Sequence, residues 1–98
     1  MIDREAAERV AREEIGRMKP PEGDEIVLLE AETLERSFGW VFFYTSRRYE
    51  ETRSISDMLV GNAPLIVDRR DGTVHYTGTG RPVEFYLEQY EARRGSSR

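Results

Sequence analysis

Apolar residues near the N-terminus recur at the spacing of an α-helix. The stripe that they form consists of Ala6, Ala7, Val10, Ala11, Ile15 and Met18. Asp3 precedes this stripe, and its carboxylate can accept hydrogen bonds from the free amides of a first helical turn. Pro20 and Pro21 follow and cannot continue a helix. The pattern therefore predicts an N-terminal amphipathic helix that covers a sheet.

The next two segments have the two-residue period of β-strands. Residues 26–35 alternate, with Val27, Leu29, Ala31 and Thr33 on one side and Glu30 and Glu32 on the other, which predicts a strand with one buried face. Residues 39–46, with the sequence GWVFFYTS, are apolar on both faces, which is typical of a strand in the middle of a sheet. Because only Ser37, Phe38 and Gly39 connect them, we expect the two strands to form a hairpin.

The second half of the chain predicts a short helical turn and another hairpin. Residues 54–61 fit a capping box followed by an apolar turn that Gly61 ends. Strands are predicted at 65–68 and 73–77, and Arg70-Asp71-Gly72 forms the turn between them, with Gly72 at positive φ.

A second helix is predicted after this hairpin. Pro82 is suited to its first turn, because a proline lacks an amide hydrogen that would have no partner there. The residues that follow with helical spacing are Val83, Tyr86, Leu87 and Tyr90. Residues 93–98 are polar, and we expect a disordered tail there.

These elements define an α+β fold. We predict a four-stranded antiparallel sheet with N- and C-terminal helices packed mainly on one face, in the order α-β-β-short helix-β-β-α. Residues 1–92 are long enough for one domain with a modest core.

Charge and composition exclude several classes of function. The chain carries 19 acidic and 15 basic residues, a net charge of −4, and no cysteine. Nucleic acid would be repelled, and disulfides and thiolate metal sites are excluded. The N-terminus lacks a signal-peptide pattern and no apolar run is long enough to span a membrane, so we expect a cytoplasmic protein.

Two short stretches resemble ligand-binding loops, but their residues do not support that interpretation. Gly78-Thr79-Gly80 precedes a helix as a phosphate loop would, but the lysine and serine or threonine of a P-loop are missing. Asp68 and Asp71 lack the further oxygen ligands of a calcium loop. We therefore expect neither a cofactor nor a metal.

The sequence shows no recognisable set of catalytic residues. His75 is the only histidine, and no nucleophile or orienting group accompanies it. We interpret it as an exposed or hydrogen-bonded surface histidine. Adjacent carboxylates such as Glu13 and Glu14 diverge on a helix and have no recognisable partner. The chain is accordingly not expected to be an enzyme.

The aromatic residues of the second strand are the candidate partner-binding residues. If the helices cover one face of the sheet, the rings of Trp40, Phe42 and Tyr44 need another cover. The alternatives are the following segment, which carries Tyr49, a second subunit or a partner protein. Exposed aromatic residues are common anchors of protein interfaces. We predict partial cover, with an aromatic patch at Trp40, Phe42, Tyr44 and Tyr49 left for a partner.

Three sequence motifs resemble a known family. They are GWVFFYTSRRYEE (Gly39–Glu51), LVGNAPLIVDRRDG (Leu59–Gly72) and TGTGRPVEFYLEQYE (Thr77–Glu91). Their order and spacing are similar to those of the YrhB-like immunity proteins, the group called immunity protein 35 in bacterial polymorphic-toxin systems. Gly80 departs from the pattern, since relatives tend to carry a residue such as alanine there. We interpret the motif residues as determinants of the fold: Gly39, Gly61, Asn62, Pro64, Asp71, Gly72, Gly78, Thr79 and Pro82.

The resemblance implies a function in binding. It implies a small α+β protein that binds and neutralises a toxin made by its own cell, with no cofactor and no catalytic residues. The alternatives are a chaperone-like stress protein that holds unfolded clients on the aromatic patch, and a homodimeric structural module. The sequence leaves open whether the protein is a monomer or a homodimer.

Overall fold

The computed structural model describes residues 1–20, 22–53 and 63–96 of the 98-residue chain. Its helices are α1 (Arg4–Gly16), α2 (Arg47–Thr52) and α3 (Val83–Ser96). Its strands are β1 (Ile26–Leu28), β2 (Leu34–Arg36), β3 (Gly39–Phe42), β4 (Tyr44–Ser46), β5 (Leu65–Asp68) and β6 (Val74–Tyr76). A 3-10 turn at Glu30–Glu32 lies between β1 and β2.

The central feature is a four-stranded antiparallel sheet with the order β2-β3-β5-β6. β1 and β4 form a separate two-stranded antiparallel sheet. With helices at both ends of the chain, this confirms the predicted α+β fold. All four residues of β3 and all four of β5 are buried, as expected of central strands.

Each of the first two predicted strands is divided in the structure. Five residues separate Leu28 from Leu34, whereas two separate their partners Tyr44 and Val41. The three extra residues loop out as the 3-10 turn, and the ladder is interrupted at Phe43 on the other side. Alternation of apolar residues continues through the turn, so the sequence pattern does not reveal it.

The two terminal helices lie on opposite faces of the sheet, so the prediction that they share one face is wrong. The face with Trp40 and Phe42 packs with α1 through Ala7, Ala11 and Ile15. The other face packs with α3, and its cluster contains Phe38, Val41, Ile66, Leu87 and Tyr90. Because β3 and β5 carry apolar residues on both faces, each face of the sheet is covered by a different helix.

The N-terminal helix begins and ends close to the predicted positions. The Asp3 carboxylate accepts from the amide of Ala6 at 2.8 Å, which is the expected N-cap. The helix ends at Gly16, before the two prolines. On its outer face, Arg9 pairs with Glu5 at 3.3 Å.

The turn between β5 and β6 positions the residues of the site described below. Gly72 has φ +73°, and its amide donates to the carbonyl oxygen of Asp68 at 2.9 Å. The Asp71 carboxylate accepts from the amide of Thr73 at 3.0 Å and from its hydroxyl at 2.8 Å. This turn brings Asp68, Arg70 and His75 to one end of the hairpin.

The backbone of Gly39 lies close to that of the neighbouring strand β5. It has φ +147°, and a Cβ atom there would lie 2.1 Å from the carbonyl oxygen of Val67. Only glycine fits this position, because an added methyl group would overlap the neighbouring strand.

Two further differences from the predictions concern helices. α2 was not predicted; the Ser46 hydroxyl caps it by accepting from the amide of Tyr49 at 3.2 Å. α3 continues to Ser96, so the prediction of a disordered tail is wrong for residues 93–96. The predicted turn at 54–61, with Gly61, and Asn62 lie outside the described residues.

Candidate binding cleft at buried Asp68

The predicted aromatic patch is largely part of the core. Trp40, Phe42 and Tyr44 are 2%, 0% and 6% exposed. They belong to the cluster that α1 covers, and the Tyr44 hydroxyl also donates to the carbonyl oxygen of Ala63 at 2.6 Å. The expectation that these three rings remain available to a partner is therefore wrong, because α1 and α3 take different faces.

Tyr49 is placed differently from the other three aromatic residues. It lies in α2 and is half-buried, with the Arg53 guanidinium carbon 5.7 Å from its ring centroid. Its role in binding a partner stays a prediction.

The glycine-rich stretch before α3 is occupied by the protein's own side chains. A Cβ atom at Gly78 would lie 2.6 Å from the ring of Tyr86, so the ring packs directly on this glycine. The carbonyl oxygen of Pro64 accepts from Thr77, and that of Pro82 accepts from Phe85. Thr79 is exposed. These contacts give the stretch a packing role.

A buried carboxylate at the end of β5 organises the opposite side of the molecule. Asp68 is 1% exposed. Its Oδ2 accepts from the Tyr90 hydroxyl at 2.6 Å and from Arg94 Nε at 3.0 Å. Its Oδ1 accepts from Arg94 Nη2 at 3.2 Å and from the amide of Arg70 at 2.9 Å. A bidentate arginine pair of this kind fixes both position and orientation.

This network joins the β5–β6 hairpin to the last turns of α3. Burial by itself raises the pKa of Asp68, but hydrogen bonds from Arg94, Tyr90 and the Arg70 amide outweigh that effect. The resulting pKa of Asp68 lies well below its ordinary value. Burial and the neighbouring Asp68 carboxylate raise the pKa of Tyr90 well above the usual range. Asp68 is therefore ionised and Tyr90 is neutral at physiological pH.

A cleft of about 270 Å³ opens beside this network. The residues that line it are Arg70, His75, Tyr90, Arg93 and Arg94. None of these described lining residues is acidic. His75 is exposed, its Nε2 lies 2.8 Å from the Thr73 hydroxyl, and its ring centroid lies 5.0 Å from that of Tyr90.

The arrangement is chemically suited to receive an anion. Three guanidinium groups line the cleft, and the buried Asp68 carboxylate already accepts from Arg94, Tyr90 and Arg70. A carboxylate has about four acceptor positions, so Asp68 is close to saturated. Among the described residues, no group of three or more histidine, cysteine, aspartate or glutamate side chains could hold a metal ion.

The sequence contains one signal for this site. Asp68 ends the run Leu-Ile-Val-Asp, and an aspartate that closes a fully buried strand requires a charged partner. The polar composition of residues 93–98 predicts a disordered tail, so the sequence does not reveal Arg94 as that partner. Tyr90 was identified as a core position, but its hydroxyl bond to Asp68 depends on how α3 crosses the sheet. His75 is exposed and hydrogen-bonded, as the sequence indicated.

Comparison with known proteins identifies the family. The model for immunity protein 35 matches residues 4–93, so the chain belongs to that family. The chain is also 40% identical over 60 residues to YrhB of Escherichia coli (strain K12), described as an uncharacterized protein. That similarity covers 61% of this chain and 64% of YrhB, less than two thirds of its length. No solved structure matches the chain significantly.

Proposed function

We propose that this protein binds and neutralises a toxin made by its own cell. The observation that carries the proposal is the match of residues 4–93 to immunity protein 35. The match includes every described element from α1 through most of α3, and it includes Asp68, Tyr90 and Arg93. In this proposal the protein acts by binding, without catalysis, and its location in the cell is the cytoplasm.

The form of the molecule supports an inhibitor that acts as a rigid body. Both faces of the central sheet are packed against helices, and the hairpin and α3 are joined through Asp68. A surface held in this way loses little conformational entropy when a partner binds, which favours tight association.

The two alternative functions depended on an exposed aromatic patch. Trp40, Phe42 and Tyr44 are buried, so neither capture of unfolded clients nor a homodimer gains support from them. No helix among the described residues is long and apolar enough to cross a membrane.

Co-expression with a toxin encoded by a gene adjacent to this one tests the proposal. We expect the protein to restore growth to cells that express that toxin, and to elute with an inactive toxin variant as one complex. An unrelated toxin is the control, and the protein should neither restore growth against it nor bind it. Failure to rescue and to form a complex with any adjacent toxin would contradict the proposal.

A further inference from the structure

We propose that the arginine-lined cleft beside Asp68 binds acidic side chains of the partner protein. This proposal rests on the proposed function, because the partner is the toxin. The site consists of Arg70 and His75 on the hairpin and Arg93 and Arg94 on α3. Its ligand class is the carboxylate of aspartate or glutamate.

The side chain of Arg70 is available to an incoming acidic group. It is 57% exposed, and only its Nε approaches Asp68, at 3.4 Å. Within the described residues, its terminal nitrogens Nη1 and Nη2 have no acceptor. A guanidinium presents its donors in a planar fork that matches a carboxylate, so Arg70 holds donors ready for an incoming acidic group.

The buried network around Asp68 fixes the geometry of the cleft. Arg94 is held by two hydrogen bonds to Asp68, and the Arg70 backbone is held by a third. Tyr90 forms the floor, packed edge-on against Phe38 with 5.1 Å between ring centroids. The cleft walls are thus positioned before any partner arrives, which reduces the entropy lost on binding.

The charge of the residues that line the cleft is opposite in sign to that of the whole chain. The whole chain has a net charge of −4, yet the described residues that line the cleft include three arginines and no acid. A nucleic acid would bring continuous negative charge against an acidic protein and would be repelled over most of the surface. A folded protein can present one or two carboxylates to this position alone, and such complementary charges specify the partner and its orientation.

The first experiment needs no toxin. The full chain is titrated at low ionic strength with a hexaglutamate peptide, a hexalysine peptide or inorganic phosphate, and amide and arginine side-chain signals are followed by NMR. We expect hexaglutamate to give saturable shifts centred on Arg70, His75 and Arg93. Hexalysine should give none at these positions.

Charge-reversal variants give the comparison. Arg70→Glu with Arg93→Glu should weaken hexaglutamate binding by roughly tenfold or more, as loss of interface arginines commonly does. The control is Arg9→Glu with Lys19→Glu, which makes the same change in net charge at exposed positions of α1 and just beyond it. The control should retain the localised shifts. Arg70→Lys separates fork geometry from charge, and we expect partial binding.

The outcomes distinguish this inference from the proposed function. If the wild type rescues cells from the toxin and the Arg70→Glu/Arg93→Glu variant, shown to be folded, rescues equally well, the cleft assignment is wrong. If the wild type itself does not rescue, the proposed function fails, whatever the cleft does. Localised binding of phosphate without binding of hexaglutamate would overturn the carboxylate assignment, as would hexaglutamate shifts spread over all arginines.

Discussion

The Tyr90 hydroxyl lies 2.6 Å from Asp68 Oδ2 and donates a hydrogen bond to it in the interior of the protein. Tyr90 is 8% exposed and Asp68 is 1% exposed. This contact joins the C-terminal helix to the end of a central strand 22 residues earlier in the chain. This hydrogen bond supports both the fold and the floor of the cleft. Deleting one atom, the Tyr90 hydroxyl oxygen, removes it.

Tyr90→Phe is expected to destabilise the protein by about 1.5–3 kcal/mol, the range for a buried hydrogen bond to a charged group. The ring and its packing on Phe38 are retained, so the loss reports the hydroxyl. Urea unfolding followed by circular dichroism measures the change. Tyr86→Phe is the matched control, because no described residue accepts a hydrogen bond from that hydroxyl, and its effect should be small.

Asp68→Asn is expected to cost about 3–5 kcal/mol at neutral pH, since it removes the charge that compensates Arg94 in a largely buried position. Arg94 keeps a side-chain exposure of only 22%. The free energy of unfolding from urea titrations gives the value. A loss below about 1 kcal/mol would mean that the pair behaves as an exposed surface ion pair.

The stability of wild type and of Asp68→Asn should depend differently on pH. The pKa of Asp68 is lowered in the folded protein, so its stabilising effect is complete above its unfolded pKa of about 3.9 and is lost as the pH falls below that value. Wild type should therefore lose more stability than Asp68→Asn between about pH 5 and pH 2. The pKa of Glu14 and Asp24 is also lowered, but Asp68 does not contribute to either shift, so these groups cancel in the difference. The Asp68 charge raises the pKa of Asp71, so its removal lowers the pKa of Asp71 further and partly offsets the difference. Equal losses in the two proteins would contradict the prediction.

Two glycines allow a paired test of backbone geometry. Gly39→Ala should prevent folding or destabilise the protein severely, because its Cβ would lie 2.1 Å from the carbonyl oxygen of Val67 and its φ is positive. Gly16→Ala places a methyl group where no atom lies within 4 Å, at the end of α1. It should stabilise the protein by about 0.5–1 kcal/mol. Thermal unfolding of the two variants and wild type compares them directly.

The outer strand β6 offers a local test of electrostatics. The Tyr76 hydroxyl donates to the Glu14 carboxylate. Burial and this hydrogen bond raise the pKa of Tyr76 to about 12. Glu14→Gln removes the negative charge and should bring the pKa of Tyr76 down towards its ordinary value of about 10. Carbon-13 NMR of the tyrosine Cζ resonances measures the shift, and an unchanged pKa would show that burial alone is responsible.

Much of the secondary structure could be predicted because its causes are local. Asp3 is an N-cap within reach of Ala6, and Asp71-Gly72 turns a hairpin through the φ value that glycine allows. The 3-10 turn at Glu30–Glu32 could not be predicted, because its cause is the unequal number of residues on the two sides of a hairpin. That count depends on register, which alternation of side chains leaves open over such a short segment.

Only part of the candidate site could be predicted from the sequence. Asp68 is a recognisable signal, as a charge that ends a buried strand. Arg94 and Tyr90 lie more than 20 residues later, and their contact with Asp68 depends on the direction in which α3 crosses the sheet. Nothing in the periodicity of the helix specifies that direction.

The sequence by itself determined the two terminal helices, the β5–β6 hairpin, the two-sided apolar strands and the family to which the chain belongs. Spacing, capping and turn residues act over a few positions, and they are visible in one dimension. Only the tertiary structure decided which face each helix covers, and with it the fate of the aromatic residues and the arginines. α1 buries Trp40 and Phe42, while α3 brings Arg94 to Asp68 and Arg93 to the cleft beside it. The physical reason is that an apolar face specifies only that it must be covered, whereas the chain path determines the element that covers it.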